Sequence, residues 1–314
     1  MRFTSFLTGC LITLCAVTAY AEDGVTVKLG GTIFGEYTVS DPGTRPTSFQ
    51  ITRAYLNITG NVNPRVSFRF TPDIARETGN GSTLSGSQTY RLKYAYAQYT
   101  VDRWWIRAGV QQTPYLDFVE SLYRFRFQGT LFSEREGFLT SSDTGVSAHY
   151  NLANDRGDIH AGYYNGEGYS KMETNDYKAL QVRATFRPLA GKGLRLTAFA
   201  DFDHADGDRS RSRWIAHATY ETSRGNAGLE FLRARDQMAS RGWSAWATPR
   251  LNSKVQALLR YDAMQSSDKS RDIVGVSYWF PTPKGTTAAI LINRDHSRAI
   301  TDDTRYGAHL VLTF

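Results

Sequence analysis

Apolar side chains recur on every second residue through most of this sequence, and this period of two restricts the possible fold more than any other feature. Near the end of the chain the apolar positions are Tyr306, Ala308, Leu310, Leu312 and Phe314. Successive side chains of a β-strand point to opposite faces, so the pattern predicts strands with one apolar face. An uncovered strand of this kind aggregates in water, whereas in a closed barrel its edges are paired and its apolar face meets lipid.

Sixteen segments of the chain alternate in this way. They lie near residues 25–40, 48–61, 65–76, 90–101, 103–113, 143–152, 157–166, 177–187, 193–204, 211–222, 226–236, 241–250, 254–265, 270–280, 285–296 and 303–314. We therefore predict an all-β fold, a transmembrane antiparallel β-barrel of sixteen strands, with both termini on the periplasmic side. Sixteen strands enclose a lumen wide enough for water and solutes.

The connections between these segments differ in length. Short turns are expected after the even-numbered strands, and several connections after odd-numbered strands are longer, as outer loops should be. The third outer loop, residues 114–142, has 29 residues and is too long for a plain connection. It is both aromatic and charged, so we expect it to fold into the barrel, pack on the wall and narrow the pore. The alternative is a loop that covers the barrel mouth or contacts another subunit.

The start of the chain has the features of a secretory signal. Arg2 precedes an apolar stretch, and Ala19-Tyr20-Ala21 matches a small-residue cleavage site. We therefore expect residues 1–21 to be a signal peptide and residues 22–314 to form one outer-membrane barrel domain. A lipoprotein cleavage box ending at Cys10 is the alternative. Both cysteines of the chain lie in this signal, which excludes a disulfide framework or a thiolate metal site in the barrel.

Composition supports the same class of protein. No segment after the signal reaches the roughly 18 apolar residues that a spanning helix needs. The 18 Tyr, 17 Phe and 6 Trp residues are typical of a barrel with aromatic girdles. The net charge of +7 is spread over single positions, so nucleic acid is not an expected partner of this exported chain. The histidines lack metal-ligand spacing and there is no Gly-rich phosphate loop, so we expect no metal and no cofactor.

The strand pleat assigns many arginines to the lumen. Seven arginines on strands have inward parity, and two more lie in the third loop. These candidate pore-lining residues are Arg53, Arg69, Arg107, Arg183, Arg195, Arg213 and Arg260 on the strands, and Arg124 and Arg126 in the loop. An arginine on the lipid face near mid-bilayer costs roughly 2–4 kcal/mol, which favours the lumen. The facing of strand 90–101 is ambiguous, because Arg91 and Lys93 share parity with Ala95, Ala97 and Tyr99. One interpretation is that both snorkel at the outer rim.

Two roles for the inward arginines remain open. Guanidinium groups stay charged and bind oxyanions bidentately, so they could form a path for anions. They could instead pair with inward carboxylates such as Asp73, Asp201, Glu221 and Asp262 and only stiffen the wall. For anion preference we single out Arg53, Arg69 and Arg107, opposite the third loop.

Other classes of protein fit the sequence less well. An outer-membrane hydrolase could use Ser147, His149 and Asn151, which share the inward face of one strand, but no nucleophile motif surrounds Ser147. A structural or adhesin barrel would need a large outer domain, and the outer loops are short. A soluble sandwich or propeller would not explain so many strands with uniformly apolar outward positions. The sequence therefore predicts a passive, water-filled channel and not an enzyme.

Several motifs resemble the phosphate-selective porin O and P family. An arginine stands at position 53 in the second strand, followed by LKYAY at 92–96, RAGVQQTPY at 107–115 and REG at 135–137. The resemblance implies a trimeric sixteen-stranded porin of the Gram-negative outer membrane, with a third loop that constricts each pore and passage of small anions, phosphate or other oxyanions among them. It also implies contact with outer-membrane lipid and lipopolysaccharide. The barrel assembly machinery is expected to recognise the last strand, which ends in Phe314.

Overall fold

Sixteen antiparallel strands make up a single closed barrel. The computed structural model describes residues 18–20, 24–40, 46–77, 83–189, 193–205, 209–236, 238–299 and 302–314. The barrel strands are β1 Thr26–Ser40, β2 Ser48–Asn61, β3 Val66–Arg76, β4 Gln88–Val101, β5 Trp104–Gln112, β6 Ser142–Asn151, β7 Gly157–Tyr164, β8 Ala179–Phe186, β9 Leu194–Ala205, β10 Arg209–Thr222, β11 Gly225–Arg235, β12 Ala239–Pro249, β13 Val255–Met264, β14 Lys269–Trp279, β15 Thr287–Arg298 and β16 Asp303–Thr313. The predicted strand number is confirmed.

Every strand pairs with its neighbours in sequence, and β16 pairs with β1 to close the sheet. At the closure Thr313 lies opposite Thr32, and Phe314 and Gly31 exchange two backbone hydrogen bonds of 2.9 and 3.0 Å. Closure satisfies the backbone groups that an open edge would expose to lipid.

Most of the predicted signal peptide lies outside the described residues. Of residues 1–21 the structure describes Thr18–Tyr20, a short strand that pairs with the beginning of β1 at Thr26 to Lys28. Cleavage after Ala21 stays a prediction.

The two faces of each strand differ as the alternation predicts. In β11, Leu229 and Phe231 are exposed on the outside, whereas Glu230 and Leu232 are buried on the inside. Across the described strands the exposed large side chains are mainly apolar, and many of the buried ones are polar or charged. This inverts the usual arrangement of a water-soluble protein and is the pattern of a barrel whose outer surface contacts lipid.

The prediction for Lys93 was wrong, because β4 contains a bulge. Thr71 lies opposite Tyr94, but the next residue, Pro72, lies opposite Leu92, so Lys93 is the extra residue. Both Lys93 and Tyr94 are buried inside the barrel, and Lys93 Nζ donates a 2.5 Å hydrogen bond to Ser141 Oγ. A bulge changes the parity of a strand, which a period-two pattern cannot anticipate.

Loops and turns lie at opposite ends of the barrel. The connections after even-numbered strands are short, and we term this end the turn end and the other the loop end. The longest described connection joins β5 to β6 and contains helix α1, Leu116–Tyr123, and the four-residue helix α2, Phe132–Arg135. A 3₁₀ turn, Ala153–Asp155, joins β6 to β7. No helix in the described part of the chain is long and apolar enough to cross a membrane.

Candidate functional site

The 114–142 loop packs against inward-facing residues of the barrel wall. Its buried apolar side chains are Tyr115, Leu116, Val119, Leu122, Tyr123, Phe125, Phe127, Leu131, Phe132 and Leu139. They form one cluster with wall residues of β9 to β16 and of β1, which include Phe199, Ile215, Leu232, Trp246, Leu258, Ile273, Leu291, Val311 and Phe34. Tyr123, for example, lies edge-on to Trp246 with ring centroids 5.3 Å apart. The loop therefore occupies the interior on this side of the barrel.

Charged groups on β13 hold the second half of the 114–142 loop in place. Arg260 donates from Nη1 to the carbonyl oxygen of Thr130 at 3.0 Å and from Nε to Asp262 Oδ1 at 3.0 Å. Asp262 also accepts from Arg135 Nη1 of α2 at 2.5 Å. The Asp262 side chain is only 1 % exposed, so this carboxylate is buried between two guanidinium groups. Such a site loses much of its stability if one partner is removed.

The two loop arginines are both paired with carboxylates. Arg126 bridges the helices, with Nε 2.7 Å from Glu120 Oε1 and Nη2 3.1 Å from Glu134 Oε2. Desolvation alone lowers the pKa of Arg126, but these two carboxylates outweigh it and raise that pKa above its ordinary value. Arg124 ends α1 in the left-handed conformation, with φ 62° and ψ −14°, and lies 3.5 Å from Glu221.

Four of the strand arginines also have carboxylate partners. Arg183 contacts Asp158, Arg195 lies 3.0 Å from Glu221, Arg213 lies 2.9 Å from Asp201 and Arg260 lies 2.9 Å from Asp262. Arg53 is more loosely paired, 3.8 Å from Asp73. For these residues the structure places an acid beside each base, which corresponds to the wall-bracing role.

Arg69 has neutral partners instead. Its Nε donates to Thr71 Oγ1 at 3.0 Å, and its Nη2 donates to Asn57 Oδ1 at 2.9 Å. The guanidinium carbon lies 4.3 Å from the ring centroid of Tyr94. The aromatic face and the two oxygen acceptors hold the side chain in place without cancelling its charge.

Arg107 is held in the same way on β5, two strands further along the sheet. Gln98 Oε1 accepts from its Nε and Nη2 at 3.2 and 2.8 Å, and Gln112 Oε1 accepts from Nη1 at 2.8 Å. The guanidinium carbon lies 4.2 Å from the ring of Tyr96 and 4.4 Å from that of Trp105. Among the described residues, Arg69 and Arg107 are the two of the nine candidate arginines with no carboxylate within ion-pair distance.

A carboxylate on the loop faces these two arginines from a greater distance. Asp117 of α1 is exposed and interacts electrostatically with Arg107 and Arg69, but it forms no ion pair with either. Glu120 on the same helix is engaged by Arg126. Positive charge on β3 and β5 and negative charge on α1 therefore face each other across a gap.

Sequence reasoning missed the aromatic side chains that support the arginines. Tyr94 and Tyr96 have inward parity in the KYAYA stretch, so the alternation itself could have revealed them. Lys93 was missed because of the bulge. It lies 3.7 Å from the ring centroid of Tyr169, a residue of the next outer loop. No signal in the sequence joins Lys93 to Tyr169.

The residues proposed for a hydrolase do not form a catalytic unit. Ser147 Oγ donates to Gln111 Oε1 at 2.5 Å, whereas His149 Nε2 lies 3.1 Å from Asp158 and its ring stacks on Trp105. The serine thus has no histidine base. Within the described ranges, no three His, Cys, Asp or Glu side chains come together as a metal site.

Solved structures of porins have the same fold as this chain. An anion-selective porin from Comamonas acidovorans has a TM-score of 0.67 at 11 % identity, with 92 % of this chain and 100 % of that chain covered. The in-vitro folded OmpT of Vibrio cholerae, in its trimer form, has a TM-score of 0.62 at 14 % identity, covering 93 % and 100 %. OmpF of Salmonella typhi in complex with daunomycin has a TM-score of 0.65 at 13 % identity, covering 94 % and 100 %.

The sequence itself identifies the family. No curated protein matches the chain significantly. The family model described as phosphate-selective porin O and P, however, matches residues 27–247, which is more than half of the chain. With the closed sixteen-stranded barrel, this match shows a channel of the Gram-negative outer membrane and not an enzyme. The chain belongs to the phosphate-selective porin O and P family.

Proposed function

We propose that this porin is a passive, water-filled pore that prefers small hydrophilic anions, with phosphate and other oxyanions among its solutes. The observation that carries the proposal is that neutral groups, and not carboxylates, accept the hydrogen bonds of Arg69 and Arg107. Both face the lumen, both are half-buried, and their hydrogen-bond partners are neutral. Their two positive charges are therefore available to a passing anion.

The surroundings make these charges effective. Fixed charges in a narrow lumen with low-dielectric walls concentrate ions of opposite sign and repel ions of the same sign. A guanidinium group offers two parallel donors to an oxyanion, and stacking on Tyr94, Tyr96 and Trp105 preorganises both groups. Asp117 on the opposite side weakens the preference but does not cancel it, because it is one charge against two.

The other candidate arginines have a second role in this proposal. Arg53, Arg124, Arg126, Arg183, Arg195, Arg213 and Arg260 brace the wall and the loop through their carboxylate partners. They shape the pore, and their net contribution to the potential is small.

The descriptions of the matched family and of a similar structure also support anion preference. The family is described as phosphate-selective, and a similar structure is that of an anion-selective porin. OmpT is described in a trimer form, and we propose a homotrimer for this chain as well. We further propose export through the periplasm with removal of residues 1–21, and insertion by the barrel assembly machinery through the strand that ends in Phe314.

Single-channel recording tests the proposal. The purified wild-type protein is placed in a planar bilayer between KCl solutions of different concentration, and the reversal potential gives the sign of the preferred ion. We expect anion preference, and we expect added phosphate to reduce the chloride current if phosphate enters the same path. A cation-preferring or unselective pore refutes the anion assignment, and a protein without conductance supports a structural barrel instead.

A further inference from the structure

Three arginines on the outside of the barrel have no ion-pair partner among the residues that the structure describes, and they do not face the pore. Arg233 and Arg235 lie on β11 and Arg241 lies on β12, and all three are exposed. They point outward, because their neighbours Leu232 and Ala234 are buried on the inside. We term these three residues the outer arginine cluster.

The cluster brings like charges into direct opposition. Arg233 and Arg241 are cross-strand partners in the β11–β12 register, and Arg235 is two residues further along the same face of β11. Like charges directly opposite each other in a sheet destabilise it. No ion pair to any of the three arginines is found in the part of the chain that the structure describes. A negatively charged ligand would relieve this repulsion.

A second group of charged residues on the outside of the barrel shows how the chain itself can balance neighbouring arginines. Asp272 of β14 lies 2.6 Å from Arg294 and 3.9 Å from Arg298, both on β15 near the loop end. There the chain supplies its own carboxylate for two guanidinium groups. The outer arginine cluster has three guanidinium groups, and no carboxylate of the described residues lies within ion-pair distance of them.

The position of the cluster indicates where its counter-charge comes from. Moving from the cluster toward the turn end, the next outward-facing cross-strand pair is Phe231 and Trp243. The pair after that is Leu229 and Ala245. Trp214, 51 % exposed, lies opposite Arg233 on the other side. Aromatic side chains mark the interface between the hydrocarbon and the headgroups. The guanidinium groups therefore lie at headgroup level at the loop end.

We infer that the outer arginine cluster binds the phosphate groups of lipid A, the bisphosphorylated lipid anchor of lipopolysaccharide in the outer leaflet. Three guanidinium groups within two adjacent strands suit a headgroup that carries more than one phosphate, because each can donate two parallel hydrogen bonds to phosphate oxygens. The apolar and aromatic side chains beside them offer a surface for its acyl chains. The inference rests on the outer-membrane location and on a loop end that faces the cell exterior, but not on the anion preference of the pore.

Lipid binding to the purified protein in mild detergent tests the inference. The variant R233Q/R241Q is compared with the parent and with R294Q, which loses one charge from the same outer face at an arginine that already has a carboxylate partner. The probes are bisphosphorylated lipid A, monophosphorylated lipid A, phosphatidylglycerol and inorganic phosphate. We expect the double variant to lose about tenfold in lipid A affinity per guanidinium removed, and R294Q to bind as the parent does. R233K/R241K should bind with intermediate affinity, because lysine keeps the charge but not the fork geometry.

Thermal stability of parent and variant should differ in opposite directions without lipid and with lipid A. Without lipid, R233Q/R241Q should be at least as stable as the parent, because the like-charge pair is gone. With lipid A, the parent should gain more stability than the variant, because ligand binding to the folded state stabilises it. Equal lipid A affinity of parent and double variant overturns the inference. So does equal binding of phosphatidylglycerol or inorganic phosphate by the parent, or a change in oligomeric state in the variant, which indicates a contact between copies. Channel selectivity should be the same in all of these proteins, so failure here leaves the proposed pore function untouched.

Discussion

Replacement of Arg69 and Arg107 by glutamine is the most direct test of how the pore selects ions. Glutamine keeps a long side chain that can still donate hydrogen bonds to Asn57 and Gln98, so the wall should keep its packing. What the double variant R69Q/R107Q loses is two positive charges that form no ion pair with a carboxylate of the described residues. We therefore expect it to shift the reversal potential toward cation preference.

The size of the effect follows from the position of the two charges. An ion that passes about 8 Å from a guanidinium group in water interacts with it by about 0.5 kcal/mol. At 0.1 M salt the Debye length is about 10 Å, so screening roughly halves this energy. Two arginines attract an anion and repel a cation, which gives a difference of about 1 kcal/mol, or about a fivefold change in the anion-to-cation permeability ratio.

Salt concentration separates this mechanism from a change of pore shape. At 1 M salt the Debye length is about 3 Å, so the same substitution should change the permeability ratio by less than about 1.5-fold. The assay is the single-channel reversal potential across a KCl gradient, measured at both concentrations. A conductance close to that of the parent at 1 M salt shows that the pore has kept its width.

A matched control removes the same charge outside the lumen. R294Q/R298Q also loses two arginines, but these lie on the outer face beside Asp272. Its reversal potential should equal that of the parent. If R69Q/R107Q keeps the parental reversal potential at low salt, then the two arginines only brace the wall and the reasoning is refuted.

Three further predictions concern the loop, the barrel closure and the assembly. The variant D262N leaves Arg260 and Arg135 without their shared buried carboxylate, so the free energy of unfolding should fall by about 3 kcal/mol. The channel current should also become noisier, because the loop is held less firmly. A channel as stable and as quiet as the parent contradicts this prediction. At Gly31 an added Cβ would lie 2.5 Å from the Phe314 ring, so Gly31→Val should lower the amount of folded barrel in the membrane. The ion selectivity of the channels that do fold should equal that of the parent, and altered selectivity counts against this prediction. In mild detergent, light scattering should give the mass of a trimer, with a gel shift on heating, and a monomer that migrates equally before and after heating rejects the trimer.

Much of the fold could be predicted from the sequence, because the information is local. A strand that separates lipid from water must alternate, so the sixteen segments and their inward faces can be found without any knowledge of their partners. The same alternation placed the arginines, since a charged side chain on the lipid face is costly. The length of the 114–142 loop singled out the segment that lies against the inner wall.

The role of each arginine could not be predicted, because it depends on residues far away in the chain. Arg135 meets Asp262 across 127 positions, whereas the side-chain hydrogen bonds of Arg69 go to Asn57 and Thr71. The described barrel contains arginines paired with carboxylates and arginines held by neutral partners, and the packing of the loop and the register of the strands decide which environment each arginine has. Lys93 shows the same limit at short range, because one extra residue in β4 reverses the face of every position beyond it. Alternation determines which side of the wall a residue faces, but the balance of charge on that side is set by contacts that form only when the barrel closes.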